Sequence, residues 1–232
     1  MAATPSGSRN WPTSDWEGLL RIALTLIDTL TEDVTWSFGG GTALAVHLDH
    51  RISHDIDIFM PNADWVSALA PNANPKTRAV IGAGRYEFPG GYLKLKLEAG
   101  EIDFIVGSKR TGHPTERWNF EGRTILLETP VEIAIKKLFH RPSSFKVRDI
   151  FDLAAVIEAD GQELASFLDL VADRLDKAID RIDALLDTYE ELARTDVHPT
   201  ERGRKYATRA AAERALKFLK EAHTRPPAAP GK

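Results

Sequence analysis

The sequence Gly-Gly-Gly-Thr at positions 39–42 narrows the possible fold more than any other feature of this chain. It follows a short apolar strand predicted at 35–38 and precedes a short helix predicted at 43–49. Glycines at such a junction let a phosphate approach the backbone, and the free N–H groups of the helix N-terminus favour an anion. The run differs from a P-loop, since no lysine follows the last glycine. Taken alone, it is more typical of a tight strand-to-helix turn than of a phosphate site.

A pair of acidic residues follows on the next predicted strand, 52–59. Asp55 and Asp57 are two residues apart, so both side chains are expected on one face of that strand. Carboxylates this close repel each other unless a cation lies between them. Mg²⁺, held by one or two carboxylates and by substrate phosphates, would resolve the conflict. The alternative is the polar face of an edge strand.

A third carboxylate, Asp103, lies on a predicted hairpin of strands 92–98 and 101–106. A two-residue turn at Ala99-Gly100 would place Leu95 opposite Phe104 and Lys96 opposite Asp103. Asp103 could therefore join the acidic pair, or it could form a salt bridge with Lys96.

The order and spacing of these parts resemble the polymerase-β-like nucleotidyltransferase superfamily. Thirteen residues separate Gly41 from Asp55, enough for one helix returning to a neighbouring strand. The stretch FGGGTALAVHLDHRISHDIDIF resembles the first motif of the AbiEii/AbiGii-type nucleotidyltransferase toxins, and PVEIAIKKLFHRPSSFKVRDIFDLA resembles their second signature. The resemblance covers about residues 35–157, and MenT-type toxins look like relatives. It implies an α+β fold, with a small mixed sheet flanked by helices and a C-terminal helical bundle.

Within that fold we expect four regions. They are a flexible leader (1–13), a nucleotidyltransferase core (14–160), a C-terminal helical region (161–225) and a flexible tail (226–232). Ser14 with Glu17, and Thr129 with Glu132, have the spacing of helix capping boxes. A new helix is expected near residue 146. Apolar residues in steps of three or four from 164 to 189 predict one long amphipathic helix.

The resemblance assigns roles to the first motif. Asp55 and Asp57 would hold Mg²⁺ or Mn²⁺, and Asp103 would be a third metal ligand or the general base. Phosphates of the nucleoside triphosphate would lie against Gly40, Gly41 and Thr42, with Ser53 nearby.

The second signature implies further residues. Lys137 and Arg141 would meet phosphate oxygens, and Arg148 and Asp152 would complete the pocket. Asp152 competes with Asp103 for the role of base. Lys137 is favoured over Lys136 because it precedes Leu138 and shares a helix face with Arg141. An ion pair between Arg148 and Asp149 at a helix start is the alternative.

Composition excludes several other kinds of site. The chain has no cysteine, which excludes disulfides, thiolate zinc sites and a catalytic thiol. Its seven histidines lack the spacing of a zinc hydrolase. No apolar run is long enough to span a membrane, and the N-terminus lacks a secretion signal, so we expect a cytoplasmic protein with no membrane partner.

Charge is unevenly distributed although the net charge is only −4. Residues 163–196 carry ten acidic and four basic side chains, whereas residues 201–220 carry seven basic and two acidic ones. Lys205, Tyr206 and Arg209 could contact an RNA backbone. Alternatively, two solvated helices pair through opposite charge.

The resemblance, together with the basic C-terminal segment, implies the toxin enzyme of a bacterial type IV-like toxin–antitoxin system. It would transfer NMP from an NTP to RNA, with the 3′ end of tRNA as acceptor, and a cognate antitoxin encoded nearby would be its partner. The alternatives are a nucleotidyltransferase that modifies a small molecule such as an antibiotic, and a catalytically inactive binding module with the same fold.

Overall fold

The computed structural model describes residues 14–31 and 33–224, so the predicted leader and tail lie outside the described residues. The chain forms two compact units. The first comprises residues up to 47 together with 52–109 and 115–129, and the second comprises 48–51, 110–114 and the residues from 130 onward. Residue 160, where the sequence predicts the end of the core, falls within the second unit, at a kink in a helix.

The first unit is built on a seven-stranded mixed sheet. Its strands are β1 (Ser37–Gly39), β2 (Ile56–Met60), β3 (Arg85–Glu87), β4 (Tyr92–Lys96), β5 (Glu101–Val106), β6 (Thr115–Phe120) and β7 (Arg123–Glu128). Their order across the sheet is β3-β4-β5-β2-β1-β7-β6. Strand β2 runs parallel to β5 and β1 runs parallel to β7, while the other neighbours are antiparallel. The mixed α/β architecture predicted from the sequence is confirmed.

One face of the central strands is apolar and buried. Ile56 pairs with Ile102 and Ile58 pairs with Phe104 across β2 and β5, and all four are fully buried. Because side chains alternate along a strand, the residues between them project to the opposite face. That alternation places the acidic residues of both strands on the face away from this apolar layer.

The register of the β4–β5 hairpin differs from the prediction by two residues. Lys94 lies opposite Asp103, where Lys96 was expected, and Leu95 lies opposite Ile102. The strands are joined by a four-residue loop closed by the Leu97 N–H, which donates to the Gly100 carbonyl at 2.9 Å. A shift of two residues keeps every side chain on its own face, so the apolar pattern could not reveal the error.

Four helices accompany this sheet: α1 (Trp16–Ile27), α2 (Gly40–Leu48), α3 (Ala63–Ala68) and α4 (Pro75–Ile81). The predicted Ser14–Glu17 capping box is wrong by one residue, since Asp15 is the N-cap of α1 and accepts from the Gly18 N–H. Ser14 instead donates to the Ser53 carbonyl at 2.5 Å. Helix α2 begins at Gly40, inside the glycine run.

The second unit contains the helices α5 (Pro130–His140), α6 (Val147–Phe167), α7 (Leu175–Leu185), α8 (Tyr189–Asp196) and α9 (Arg209–His223), with short 3-10 helices at Pro142–Ser144, Leu168–Arg174 and Arg204–Tyr206. Proline is the first residue of α5, as its fixed φ favours. Glu132, predicted to cap α5, accepts hydrogen bonds from the backbone N–H groups of residues 110 and 111.

The single long helix predicted over 164–189 is wrong. The 3-10 helix Leu168–Arg174 interrupts it, and Val171 there has non-helical backbone angles (φ −130°, ψ 17°). Another break follows α7 before α8 begins at Tyr189. The apolar residues are still buried, with Leu164, Leu168, Val171 and Leu175 at 0–2% exposure. The apolar spacing therefore correctly indicated which residues are buried, but burial of these residues does not require one continuous helix.

Oppositely charged side chains pair between α9 and the acidic segment. Lys220 lies 3.7 Å from Asp183, His223 lies 2.9 Å from Asp176, and Arg209 lies 2.8 Å from Asp187. The structure therefore supports the interpretation that the two charged regions pair with each other. Among the described residues, no helix is long and apolar enough to cross a membrane.

Candidate active site

The parallel pairing of β2 and β5 places Asp57 directly beside Asp103. Both side chains lie on the sheet face opposite the apolar layer, and both are partly buried. Asp103 was predicted only to approach the acidic pair, because the sequence did not show which strands would be neighbours. The fold makes the two carboxylates adjacent.

Asp57 also packs against the start of α2. Gly40 has a φ of +71°, in the left-handed region that favours glycine. A Cβ built at Gly40 would overlap the Asp57 carboxylate. Gly40 is thus required both by its own backbone conformation and by the close approach of Asp57. This contact joins the glycine run to the acidic strand.

Gly39 accommodates a second carboxylate, which the sequence reasoning missed. A Cβ at Gly39 would overlap the side chain of Glu128, whose Oε1 accepts from the Ser37 hydroxyl at 2.7 Å. Glu128 is 1% exposed and ends strand β7. An acid closing the otherwise apolar run Ile-Leu-Leu was the available signal. Glu128 therefore belongs with the residues that shape the glycine turn.

Thr42 and Ser53 fasten the segment that carries Asp55. The Thr42 hydroxyl is buried and lies 2.5 Å from the Asp55 carbonyl, to which it donates, and 2.9 Å from the Ser53 hydroxyl. Asp55 precedes β2, where the prediction placed it within the strand. Its Oδ1 accepts from the Glu101 N–H at 3.0 Å, at the start of β5. The nucleotide contacts expected of Gly41, Thr42 and Ser53, and the metal ligation expected of Asp55, remain predictions.

Asp103 has one paired and one unpaired oxygen. Its Oδ2 lies 2.8 Å from the Lys94 ammonium, which also pairs with Glu101 at 2.6 Å. Its Oδ1 is buried and accepts no hydrogen bond from the described part of the chain. Burial raises the pKa of Asp103 to about 6; the charge of Asp57 adds to the rise, and Lys94 opposes it. A carboxylate oxygen of this kind is suited to receive a cation or a proton.

These observations bear on the expected metal ion. Within residues 14–31 and 33–224, no group of three or more acidic or histidine side chains is arranged as a metal site. Asp57 and Asp103 nevertheless provide two adjacent carboxylates, one with an oxygen that lacks a hydrogen bond. Mg²⁺ commonly takes one or two carboxylates and completes its shell with waters and phosphates. The residues present fit a cation held in that way.

In the second unit, Asp152 lies at the centre of a buried charge network. It is 1% exposed and accepts from Arg51 Nε at 2.7 Å and Arg51 Nη2 at 3.1 Å. It also pairs with Lys137, and its Oδ1 lies 2.8 Å from His50 Nε2. Burial alone would raise the pKa of Asp152, but Arg51, Lys137 and His50 hold it well below its usual range. Asp152 in this arrangement is an ionised carboxylate that positions cations.

The fold brings His50 and Arg51 to Asp152 through the loop between α2 and β2. The His50 carbonyl accepts from the Thr200 N–H at 3.1 Å, and its ring stacks on Phe151 with centroids 5.6 Å apart. The sequence reasoning did not select either residue for this role. The adjacent His-Arg directly before the acidic strand was the available signal.

The two lysines of α5 have different partners. Lys137 lies 3.3 Å from Asp149 and also pairs with Asp152, whereas Lys136 lies 3.7 Å from Glu132. Arg141 shares Asp149 with Lys137, donating from Nη2 at 2.7 Å. We call this group of six residues the Asp152 network: His50, Arg51, Lys137, Arg141, Asp149 and Asp152. Arg141 lies one residue beyond the end of α5, and both it and Lys137 reach the Asp149 carboxylate.

Arg148 is not part of the Asp152 network. Its side chain is exposed, and the described residues offer it no ion pair. The alternative pair of Arg148 with Asp149 is absent for the same reason, since Asp149 is fully buried against Lys137 and Arg141. Neighbouring residues on a helix point in directions about 100° apart, which separates Arg148 from Asp149.

The predicted RNA contacts near the C-terminus have partners within the second unit. Lys205 pairs with Glu158, and Arg209 donates to Asp187 and Glu213 at 2.8 Å. Tyr206 is 8% exposed and packs edge-on against Phe151 at 5.8 Å. Its burial contradicts a role for Tyr206 as an exposed RNA contact, because its ring belongs to the core.

Comparisons with known proteins agree with this architecture. The fold is similar to the crystal structure of a candidate nucleotidyltransferase from H. pylori, with 16% identity and a TM-score of 0.54. The match covers 91% of this chain and 96% of the H. pylori chain. Weaker likenesses are JHP933 from Helicobacter pylori (14% identity, 91% and 94% covered, TM-score 0.47) and the STING-associated CdnE c-di-GMP synthase from Capnocytophaga granulosa (10% identity, 90% and 79% covered, TM-score 0.32). No curated protein matches the sequence.

The family comparison covers most of the chain. Residues 23–225 match the family described as nucleotidyl transferase AbiEii toxin, type IV toxin–antitoxin system. That span includes the glycine run, the acidic strands, the Asp152 network and the C-terminal helices. The family resemblance and the enzyme class predicted from the sequence are therefore confirmed. This chain belongs to the AbiEii family of nucleotidyltransferase toxins.

Proposed function

We propose that this nucleotidyltransferase transfers NMP from an NTP to RNA, with the 3′ end of tRNA as its acceptor. The observation that carries the proposal is the adjacency of Asp57 and Asp103 beside the glycine turn at Gly40. Two carboxylates and a helix N-terminus together suit a triphosphate and its counterion. Membership of a toxin–antitoxin family adds a cognate antitoxin as partner.

The reaction is a displacement at the α-phosphorus of the NTP. The 3′-hydroxyl oxygen of the RNA forms a new bond to that phosphorus, the bond to the bridging oxygen of the β-phosphate breaks, and pyrophosphate leaves. Proteins catalyse such steps chiefly by positioning and by neutralising charge. The proton of the attacking hydroxyl must pass to a base.

Asp55, Asp57 and Asp103 would hold Mg²⁺ or Mn²⁺. The base that takes the proton of the attacking hydroxyl would be Asp103 or Asp152. A bound divalent ion supplies positive charge to the phosphate oxygens and orients the triphosphate. Backbone N–H groups at Gly40 and Gly41 would donate hydrogen bonds to the phosphate oxygens, with Thr42 and Ser53 keeping that turn against Asp55.

The second signature of the family implies further cationic contacts to the nucleotide. Lys137 and Arg141 would meet phosphate oxygens, with Asp149 and Asp152 keeping both cations in place. A guanidinium suits two phosphate oxygens at once. Arg148, which is exposed, would be a further nucleotide contact.

A labelling assay tests the reaction. The purified chain is incubated with total tRNA, Mg²⁺ and each α-labelled NTP separately, alongside Asp57→Asn and the control Asp64→Asn, an exposed aspartate of α3. We expect label on tRNA that is lost in Asp57→Asn and retained in Asp64→Asn. Label on a small molecule but not on RNA would refute the RNA acceptor, and equal labelling by Asp57→Asn would refute the site.

A further inference from the structure

A group of cations in the second unit lies outside the Asp152 network and has no role in the proposed chemistry. Its centre is the ring of Phe139, which lies between two guanidinium groups. The Cζ atom of Arg110 is 3.4 Å from the ring centroid and that of Arg174 is 4.0 Å from it. We call these three residues the Arg–Phe–Arg cluster. Such stacking holds a guanidinium flat on the aromatic ring and leaves its edge available for hydrogen bonds.

The cluster is held in place by its surroundings. The buried Glu132 carboxylate accepts from the backbone N–H of Arg110 and of Thr111, each at 2.8 Å, and from the Thr111 hydroxyl at 2.8 Å. This clamp fixes the short loop that carries Arg110. Arg174 ends the 3-10 helix Leu168–Arg174 and is about one-third exposed. Both guanidiniums are thus presented by anchored backbone.

The cluster has donors without acceptors. The Nε atoms of Arg110 and Arg174 are buried and find no hydrogen-bond acceptor in the described part of the chain, and the same holds for Nε of nearby Arg141. The closest acid to Arg174 is its exposed neighbour Asp173, at 3.7 Å. Because neither Arg110 nor Arg174 has a close acidic partner among the described residues, the charges of the two guanidinium groups favour an external anion.

The local potential is positive. Burial lowers the pKa of the adjacent His140, and the charges of Arg110, Lys136, Arg174 and Arg141 lower it further. Four cations therefore surround one exposed histidine. Planar guanidinium groups beside an aromatic ring suit the oxygens of phosphodiester groups and the faces of unstacked bases.

We propose that the Arg–Phe–Arg cluster binds the phosphate backbone of the acceptor RNA. This inference rests on the proposed function, since it names the surface that would hold that reaction's acceptor. It places the RNA contact at Arg110 and Arg174, away from Lys205 and Arg209, whose charges already have acidic partners.

The test is binding of fluorescein-labelled tRNA to the full chain without NTP, measured by anisotropy over a salt series. Arg110→Gln/Arg174→Gln is compared with Lys205→Gln/Arg209→Gln, which removes the same charge elsewhere. Each lost phosphate contact should reduce the steepness of the log–log salt dependence by about 0.7 for single strands or about 0.9 for duplex, so two should reduce it by about 1.4 to 1.8. We expect this change, and about tenfold weaker binding at 0.15 M salt, only in the first variant. Equal losses in both variants would overturn the inference.

A second measurement uses the unmodified chain and does not depend on whether the variants fold. Phenylglyoxal modifies accessible arginines, and mass spectrometry locates the adducts. We expect tRNA to protect Arg110 and Arg174 and to leave Arg209 reactive. Protection by polyglutamate but not by tRNA would assign the surface to an acidic protein and overturn the RNA assignment.

The two proposals fail separately. A chain that binds tRNA through the Arg–Phe–Arg cluster but transfers no nucleotide would refute the proposed function alone. A chain that labels tRNA, and whose Arg110→Gln/Arg174→Gln variant binds tRNA as tightly and with the same salt dependence as wild type, would refute only this inference.

Discussion

Substitution of Gly40 by alanine tests the contact that joins the glycine turn to the acidic strand. Two costs arise at this position. An L-residue at φ +71° costs about 1–2 kcal/mol relative to glycine. The new Cβ also overlaps the Asp57 carboxylate, and inserting a methyl group into occupied space typically costs about 1–3 kcal/mol more. We therefore expect Gly40→Ala to lower the free energy of unfolding by about 2–5 kcal/mol.

Gly122→Ala is the matched control. Gly122 also has a positive φ, +84°, but a Cβ there would meet nothing within 4 Å. It should therefore cost only the backbone part, about 1–2 kcal/mol. The difference between the two variants isolates the displacement of Asp57.

Urea unfolding of both variants provides the comparison, and Mg²⁺ titration calorimetry with an NTP reports the site. We expect Gly40→Ala to be the less stable variant by about 1–3 kcal/mol and to lose metal-dependent NTP binding, with Gly122→Ala keeping it. Equal stability of the two variants would refute the steric reasoning. Unchanged NTP binding by Gly40→Ala would refute the link between the glycine turn and the acidic strand.

Three further predictions concern the charged residues. Asp152→Asn should lower the free energy of unfolding in urea by about 3–5 kcal/mol, because it removes the buried negative charge that faces both Lys137 and Arg51; a loss under 1 kcal/mol would contradict this. Folding lowers the pKa values of Asp149 and Asp152. Their contribution to stability is therefore complete above the unfolded pKa of about 3.9 and is lost as the pH falls through the lower folded pKa values. Urea midpoints measured from pH 7 to pH 3 should decline only at the acidic end, and less steeply in Asp152→Asn. Lys94→Met removes a cation that lowers the pKa of Asp103, so a carboxyl NMR titration should give a pKa above about 6, and an unchanged or lower value would exclude that ion pair.

Features set by neighbouring residues could be predicted from the sequence. The proline start of α5, the start of α6 near residue 146 and the alternation of β2 and β5 all follow from local backbone and side-chain preferences. The mixed sheet and the family were predicted from the resemblance of the two motifs to the nucleotidyltransferase toxins. The exact cap of α1 was missed, because Asp15 and Ser14 are both good capping residues.

Features that depend on the repeat of a pattern could be predicted only in part. A hairpin that slips by two residues keeps the same apolar face. The sequence therefore predicted Lys96 opposite Asp103, whereas the structure has Lys94 there. Apolar spacing over 164–189 correctly marked buried positions such as Leu168 and Leu175, but a 3-10 segment buries the same residues as a continuous helix. In both places the periodic signal is compatible with more than one structure.

The amino-acid sequence by itself determined the class of enzyme, through the resemblance of its two motifs, and the side of the strands on which Asp57 and Asp103 lie, through the alternation of residue types. Tertiary structure alone decided which distant residues meet: Asp57 beside Asp103, Asp152 against His50 and Arg51, and Arg110 with Arg174 across Phe139. The partners in these groups are separated by 29 to 102 positions in the chain, and only the packing of the folded backbone brings them together. The same packing also determines the pKa of each carboxylate, because burial and neighbouring charges shift it. It likewise determines which guanidinium N–H groups have an acceptor.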